Sequence, residues 1–178
     1  MMQTITLGDR SFRLYITEAQ IQQAVSKIAD EINRDYRDKC PLIIPVLNGS
    51  FMFASDLMKM LSCQCEISFI KASSYQGTNT SGQLTSLIGI NEDISGRDII
   101  ILEDIIDTGH TLSQILPTIK DQKPASVKVV TLLFKPKALK VDTSIDYIGI
   151  EIANEFIVGY GLDYNGLGRN LKEIYQKI

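Results

Sequence analysis

The sequence predicts an α/β fold with a mostly parallel central sheet flanked by helices. Its 178 residues suffice for one domain that buries about 70% of the surface of the unfolded chain, and 44% of them are hydrophobic. Strand-like and helix-like segments alternate from Thr17 to Phe134, an order typical of parallel sheets with helices on their faces. The run from Ile99 to Leu102 is apolar at every position, as expected of a parallel strand covered on both sides.

The first half of the chain contains one helix and the opening of a strand–helix unit. Thr17 and Gln20 form a capping-box pattern, and apolar residues at helical spacing predict a helix from Thr17 to Asp38. The apolar run from Leu42 to Leu47 predicts a buried strand. An Asn-Gly-Ser turn follows this strand, and a helical pattern resumes from Phe51 to Leu61.

Two further strands are predicted from Cys65 to Ala72 and from Leu84 to Ile90, separated by a polar segment from Ser73 to Gln83. Composition leaves open whether that segment is a mobile functional loop or the tip of a hairpin. After the apolar run that ends at Leu102, a helix is predicted from Leu112 to Lys120 and a strand from Val127 to Phe134.

The C-terminal part of the chain has a different pattern. Ile145 to Ile152 and Glu155 to Val158 are predicted as short strands, and a helix-like run follows Arg169. We expect residues 1–178 to form a single domain, with a core of about 15–144. A small hood, formed by the N- and C-terminal segments of about 1–14 and 145–178, would cover the functional edge of the sheet.

Composition and charge exclude several classes of protein. No apolar run approaches the roughly 18 residues of a membrane-spanning helix, and the first residues lack a signal-peptide core, so we expect a cytoplasmic protein without a membrane partner. The net charge of −3 argues against a nucleic-acid partner, because phosphate neutralisation requires a basic surface. The three cysteines form no CxxC pair, which favours reduced structural thiols over a zinc site.

The segment from Ile99 to Thr111, which reads IIILEDIIDTGHT, carries the strongest indication of chemistry. Ligands of open α/β sheets bind at the carboxyl ends of the strands, and the free N–H groups at the following helix start would bind phosphate. The acids Glu103, Asp104 and Asp107 suit sugar hydroxyls, a divalent cation or a proton in transit. From the residues alone, Asp107 also fits the N-cap of that helix.

This segment resembles the signature of the type I phosphoribosyltransferases, and its Glu-Asp-Ile-Ile-Asp form is similar to the hypoxanthine-guanine branch of that family. The resemblance covers nearly the whole chain from about Leu14, with further matching segments at 46–57, 74–75, 132–135 and 156–165. It implies a purine-salvage enzyme that transfers 5-phosphoribosyl from 5-phosphoribosyl-1-pyrophosphate to N9 of hypoxanthine or guanine, giving IMP or GMP and pyrophosphate. It also implies a homodimer or homotetramer.

The resemblance further implies a role for each matching residue, with Asp107 as the catalytic acid or base beside purine N7. The implied ribose 5-phosphate site consists of Glu103, Asp104, Asp107, Thr108, Gly109, His110 and Thr111. The implied purine site consists of Lys135, Phe156, Ile157 and Asp163. The implied pyrophosphate site consists of Asn48, Gly49, Ser74, Tyr75 and Arg169. Mg²⁺ is the implied cofactor, with Glu103, Asp104 and Asp163 as its ligands.

Two departures from the family pattern bear on the site. Asn48 stands where many members carry lysine, and Gly166 and Gly168 replace bulkier residues before Arg169. Two other functions also remain open. One is an enzyme for another base, such as xanthine or a pyrimidine, and the other is a donor-sensing regulator that keeps this fold and binds nucleic acid.

Overall fold

Two sheets and three helices make up the described part of the chain, which in the computed structural model comprises residues 3–73, 86–88 and 92–178. The helices are α1 (Glu18–Asp35), α2 (Phe51–Met60) and α3 (His110–Lys120). The strands are β1 (Thr4–Leu7), β2 (Arg10–Ile16), β3 (Leu42–Leu47), β4 (Glu66–Ile67), β5 (Ile70–Ser73), β6 (Ser86–Ile88), β7 (Asp98–Ile106), β8 (Ser126–Phe134), β9 (Tyr147–Glu151), β10 (Ile157–Val158) and β11 (Ile174–Lys177).

The main sheet has seven strands in the order β6-β5-β3-β7-β8-β9, with β4 also paired with β3. Each of these pairings is parallel except that between β5 and β6. The central strands β3 and β7 are buried along most of their length, as expected where helices cover both faces. The prediction of an α/β fold with a mostly parallel central sheet is therefore confirmed.

Helices on opposite faces of the main sheet form two hydrophobic cores. On one face, apolar residues of α1, among them Ile21 and Ile28, pack with Ile100 of β7. On the other face, Ile115 of α3 packs with Ile101 of β7. This arrangement holds the central strand β7 between two apolar layers and fixes the position of its carboxyl end.

The predicted start of α1 is confirmed by both halves of its capping box. The N–H of Gln20 donates to Thr17 Oγ1 at 3.3 Å, and the N–H of Thr17 donates to Gln20 Oε1 at 3.0 Å. The helix ends at Asp35, three residues before the predicted Asp38.

Strand β7 extends beyond its predicted end at Leu102, and this corrects the expected setting of the acids. Glu103 and Asp104 are strand residues, not members of a loop that follows the strand. The reason is the neighbouring strand, because β7 stays paired with β8 as far as the pair Ile106–Phe134. Backbone pairing on a central strand outweighs the low β-propensity of the two acidic residues.

The hood is a second, antiparallel sheet in the order β1-β2-β11-β10, so it combines the two ends of the chain. The predicted helix after Arg169 is wrong, because residues 174–177 form β11. This strand pairs with both β2 and β10 and buries Ile174 and Tyr175. Strand β9, which the prediction assigned to the hood, pairs with β8 in the main sheet. The division of a single domain into core and hood otherwise stays a proposal.

The region after α2 departs from the prediction in one further way. The single strand expected from Cys65 to Ala72 is two strands, β4 and β5, each of which pairs with β3. Most of the polar segment from Ser73 to Gln83, with the predicted site residues Ser74 and Tyr75, lies outside the described residues. Within the described ranges, no helix has the length and apolar character needed to span a bilayer.

Candidate active site

Two adjoining clefts open at the carboxyl ends of β3, β7 and β8, the edge at which open α/β sheets bind ligands. Residues 103–112 line the first cleft. The second is lined by four segments of the chain, which contribute Asn48, Gly49, Asp104, Ile105, Asp107, Lys135, Phe156, Ile157, Leu162, Asp163 and Arg169. Because Asp104, Ile105 and Asp107 line both clefts, the two form one continuous candidate site.

The N-terminal turn of α3 lines the first cleft and is suited to bind phosphate. Gly109 precedes the helix with φ +79°, a left-handed conformation that glycine adopts without strain, and it has no side chain to cap the helix. The N–H of His110 donates only a long hydrogen bond, 3.4 Å, to the Thr108 hydroxyl. Backbone N–H groups here, aided by the helix dipole, would attract an anion.

Two predicted site residues, Asp107 and Lys135, form an ion pair. Ile106 pairs with Phe134 at the ends of β7 and β8, so Asp107 and Lys135, which directly follow these strands, lie side by side at the sheet edge. Lys135 Nζ donates to Asp107 Oδ2 at 2.7 Å. The lysine side chain is only 9% exposed, whereas that of Asp107 is 43% exposed. The N-cap of α3 is Gly109, so the alternative role of Asp107 as a helix cap is wrong.

Glu103 lies at the carboxyl end of β7 with its side chain almost fully buried. Its Oε1 atom has no hydrogen-bond partner among the described residues. Burial, together with the nearby charge of Asp104, raises the pKa of Glu103 well above its usual value. A buried carboxyl oxygen without a partner is costly, so this group is available for a ligand hydroxyl or a cation.

Asp104 lies beside the turn that follows β3. Burial raises the pKa of Asp104 to about 6. Two contacts oppose this effect by favouring the ionised form: the N–H of Ile105 donates to Asp104 Oδ1 at 3.0 Å, and the charge of Arg169 lies nearby. A Cβ atom on Gly49 would overlap the Asp104 carboxylate. Only glycine at position 49 therefore allows the backbone of this turn to approach the acid so closely.

The acids of the site suit a magnesium ion bound jointly with a substrate. Within the described ranges, no group of three or more His, Cys, Asp or Glu residues is arranged to hold a metal by itself. The candidate ligands Glu103, Asp104 and Asp163 thus form no closed metal site. Magnesium usually keeps several waters and binds one or two carboxylates plus phosphate oxygens. The unpartnered oxygen of Glu103 and the cleft-lining carboxylates of Asp104 and Asp163 fit that mode.

Arg169 enters the second cleft from the hood and is held by two partners. Its guanidinium pairs with Asp163 Oδ1 and donates to the carbonyl oxygen of Gly161 at 2.7 Å. The backbone at Gly166 and Gly168 has φ values of +82° and +94°, which favour glycine. The glycines that replace bulkier residues therefore serve the turn that brings Arg169 to the cleft.

Phe156, the residue before β10, presents an exposed aromatic ring to the second cleft. It is 49% exposed although it lies against two other rings, with its centroid 6.1 Å from that of Tyr164 in an edge-on contact and 6.4 Å from that of Phe12. The neighbouring Ile157 is buried in β10. A large apolar ring that lines a cleft and remains half exposed is suited to stack on a planar ligand.

The structure thus brings together the described purine and pyrophosphate candidates in one cleft. The turn that holds Asn48 begins with a cis peptide bond between Leu47 and Asn48. Ile106 and Leu112 of the first cleft were not predicted as site residues. In the second cleft, two lining residues were not predicted, Ile105 and Leu162. Ile105 and Leu162 both lie within the motifs that carry the family resemblance, and their place in those motifs could have identified them as site residues. The side chain of His110 is exposed and lies 3.0 Å from Gln114, so only its backbone fits the predicted phosphate site.

The raised pKa of Asp104 predicts a pH-dependent stability. Between about pH 4 and pH 6 the folded protein retains a proton that the unfolded chain releases, so the free energy of unfolding falls as pH rises through this window. Asp104→Asn removes this titration. We expect its stability relative to the wild type to increase by about 1–3 kcal/mol between about pH 4 and pH 7. Urea unfolding at both pH values measures the difference, and an equal difference at the two values would contradict the assignment.

Comparisons with known proteins agree with this geometry. A family model described as a phosphoribosyl transferase domain matches residues 16–165. The chain is 40% identical over 163 residues to the hypoxanthine-guanine phosphoribosyltransferase of Bacillus subtilis, an alignment that covers 91% of each chain. It is also 40% identical over 163 residues to the bifunctional protein TilS/HprT of Listeria monocytogenes, covering 91% of this chain but spanning only 25% of the length of that relative.

Solved structures give the same result. The crystal structure of a hypoxanthine-guanine phosphoribosyltransferase from Bacillus anthracis superposes with a TM-score of 0.84 at 36% identity, covering 100% of this chain and 99% of the other. The sequence and the fold are therefore both similar to hypoxanthine-guanine phosphoribosyltransferases.

Proposed function

This chain belongs to the phosphoribosyl transferase family, and we propose that it is a purine-salvage enzyme. It transfers the 5-phosphoribosyl group of 5-phosphoribosyl-1-pyrophosphate to N9 of hypoxanthine or guanine, giving IMP or GMP and pyrophosphate. One observation carries this proposal. A phosphate-binding helix start, the Asp107–Lys135 pair and the exposed ring of Phe156 meet in one continuous cleft.

Lys135 supports the choice of a 6-oxopurine. Its buried ammonium group donates to Asp107 and has two further N–H donors, one of which the O6 atom of hypoxanthine or guanine can accept while Phe156 stacks on the ring. Adenine carries a 6-amino group, so a donor would face a donor. An unpaired buried polar group costs about 1–3 kcal/mol, which favours rejection of adenine.

Asp107 supports the chemistry through proton transfer. As purine N9 forms its bond to C1′ of the ribose, the bond between C1′ and the pyrophosphate oxygen breaks and its electron pair leaves with pyrophosphate. The base then carries a surplus proton on N7, and the half-exposed carboxylate of Asp107 accepts it as a general base. Lys135 donates to this carboxylate, and purine O6 offers the lysine a second acceptor.

The other predicted site residues are proposed to bind the donor and magnesium. The N–H groups from Thr108 to Thr111 hold the 5-phosphate, and Glu103 with Asp104 holds the ribose hydroxyls. The turn at Asn48 and Gly49 and the guanidinium of Arg169 hold pyrophosphate. Mg²⁺, bound by carboxylates among Glu103, Asp104 and Asp163 with the donor oxygens, would neutralise charge between the anionic donor and the acids. By the family resemblance, Ser74 and Tyr75 are proposed to bind pyrophosphate, with Tyr75 closing over it.

A panel of bases tests the proposal. Purified protein is incubated with the diphosphate donor, magnesium and one base at a time: hypoxanthine, guanine, xanthine, adenine or uracil. We expect rapid nucleotide formation with hypoxanthine or guanine and little with adenine. Preference for uracil, or nucleotide formation with none of the five bases, would overturn the proposal.

Removal of magnesium should abolish turnover without unfolding the protein. An anionic donor and a cluster of acids repel one another unless a divalent cation lies between them. Excess chelator should therefore suppress nucleotide formation, and added magnesium should restore it, while circular dichroism stays unchanged. Full activity in chelator, with no bound metal detected by mass spectrometry, would contradict the cofactor assignment.

Lys135→Ala should impair purine recognition far more than donor recognition. The variant removes a hydrogen bond from a charged group, worth about 1.5–3 kcal/mol, so KM for hypoxanthine should rise by about 10- to 100-fold. KM for the donor should stay within about threefold. Lys137→Ala, two residues further along the chain, is the matched control. Equal changes in both KM values for Lys135→Ala would show that the lysine does not read the base.

Two wider proposals accompany this function. The cysteines Cys40, Cys63 and Cys65 are free thiols, the state that a reducing compartment maintains, which supports a cytoplasmic location. A homodimer or homotetramer is proposed on the family resemblance, and light scattering of the purified protein tests it.

A further inference from the structure

Outside the site, the carboxylate of Asp56 on α2 joins three parts of the fold. Its Oδ2 atom accepts hydrogen bonds from Gln22 on α1 and from the Tyr160 hydroxyl, each at 2.7 Å. Its Oδ1 atom lies 2.6 Å from Lys59 Nζ. Burial alone would raise the pKa of Asp56, but these partners together lower it, so the carboxylate is ionised when it binds the tyrosine.

Tyr160 occupies an unusual backbone conformation. Its φ is +49°, a left-handed value that bulky residues seldom adopt, and its side chain is almost fully buried. Such strain persists only where surrounding contacts hold it. The contacts here are the hydroxyl bond to Asp56 and the N–H of Tyr160, which donates to the carbonyl oxygen of Leu171 at 2.8 Å.

The turn that contains Tyr160 connects directly to the cleft. Gly159 and Leu162 close the turn through two hydrogen bonds of 3.1 Å. At its tip, Gly161 packs so closely on the backbone of Gly49 that a Cβ atom would overlap the carbonyl oxygen of Gly49. The carbonyl oxygen of Gly161 accepts a hydrogen bond from Arg169. The turn thus holds both sides of the proposed pyrophosphate site against each other.

We propose that Asp56 is a positioning residue that, through the hydroxyl of Tyr160, presses the turn 159–162 onto Gly49 and so sets the distance between Arg169 and the turn at Asn48. This inference rests on the proposed function, because it assumes that these groups bind the diphosphate of the donor. Phe156 and Ile157 precede the turn and are held separately by β11, since Ile157 pairs with Gln176 and the carbonyl oxygen of Phe156 accepts from the N–H of Lys177 at 2.9 Å. The positions of Phe156 and Ile157 therefore do not depend on Asp56, whereas Asp163 directly follows the turn.

Tyr160→Phe tests the proposal, because it removes only the hydroxyl group. Displacement of a binding group by about 1 Å can cost up to about 100-fold, so we expect the Kd for 5-phosphoribosyl-1-pyrophosphate to rise about tenfold. Calorimetric titration of the donor alone, in magnesium buffer, measures this Kd without any purine. KM for hypoxanthine, measured at saturating donor, should stay within about twofold.

Tyr147→Phe is the matched control, because it removes a similar bond at a distance from the clefts. The hydroxyl of Tyr147, a buried residue of β9, donates to Asp35 Oδ2 at 2.9 Å. Both variants should lose similar stability in urea, but only Tyr160→Phe should weaken donor binding. Equal Kd changes in the two variants, or an unchanged Kd in Tyr160→Phe, would overturn the inference.

Two variants of Asp56 separate positioning from general stability. Asp56→Asn keeps an oxygen that accepts from Tyr160 and should largely retain donor affinity. Asp56→Leu removes the acceptor and should match Tyr160→Phe. Equal affinities in these two variants would contradict the proposal. Donor binding by the wild type without nucleotide formation from any purine would instead refute the proposed purine reaction and leave this inference standing.

Discussion

Asp107→Asn should slow the chemical step by about 10²- to 10⁴-fold, the usual value of general acid–base catalysis. The amide keeps the size of the carboxylate and an oxygen that can accept from Lys135, but it cannot take the N7 proton. A single-turnover rate with saturating hypoxanthine measures the step. Donor affinity should barely change, because the proposed phosphate contacts are backbone N–H groups of the α3 start.

Asp121→Asn, at the other end of α3, is the control for this substitution, because Asp121 is exposed and far along the helix from the cleft. Asp121→Asn should change the free energy of unfolding by no more than about 1 kcal/mol. Asp107→Asn also removes the charged partner of the buried Lys135, so it should lower the free energy of unfolding by about 1–3 kcal/mol. A near-normal single-turnover rate for Asp107→Asn would exclude the proton-transfer role.

Gly49→Ala should reduce donor affinity by about 100-fold or more. The added Cβ atom would overlap the Asp104 carboxylate, so either that acid or the turn after β3 must shift. Both line the cleft, and a displacement of about 1 Å is enough for a loss of this size. Calorimetric titration with the donor in magnesium buffer gives the affinity.

A double-mutant cycle identifies the cause of that loss. Overpacking typically costs about 1–3 kcal/mol, so Gly49→Ala should lower the free energy of unfolding by this amount in the wild type. In an Asp104→Ala background the carboxylate is absent, and Gly49→Ala should cost little. Equal losses of stability in both backgrounds, or normal donor affinity in the single variant, would contradict the packing argument.

Local patterns in the sequence were sufficient to predict most of the elements of the main sheet. The strand at 42–47 and the capping box at Thr17 depend on residues that are close in sequence, so the pattern contained the necessary information. The extension of β7 through Glu103 and Asp104 depends on its pairing with β8. That information is tertiary, and local propensity favoured an earlier end.

The C-terminal strand β11 was not predicted because it, too, depends on tertiary pairing. Residues 174–177 contain too few apolar positions to distinguish a helical from a strand period, and the choice is made by β2 at the other end of the chain. Strand β9 likewise joins the main sheet because β8 offers it a free edge.

The candidate site was predicted mainly through the family resemblance, whose motifs name nearly every residue that lines the second cleft. The residues alone predicted a phosphate-binding helix start and a group of acids at the sheet edge. They gave no sign of the Asp107–Lys135 pair, because 28 positions separate the partners and only the register of β7 on β8 joins them. The link from Asp56 to Tyr160 spans 104 positions and was missed for the same reason.

The products formed from the donor distinguish phosphoribosyl transfer to a purine from simple hydrolysis of the donor. Hypoxanthine, the diphosphate donor and magnesium are mixed with the protein, and ³¹P nuclear magnetic resonance follows every phosphorus species over time. Phosphoribosyl transfer should give one IMP and one pyrophosphate for each donor consumed, and the proton spectrum of the product should match that of authentic IMP, the N9 nucleotide. Consumption of the donor to ribose 5-phosphate and pyrophosphate without IMP, or an unchanged spectrum, would contradict it.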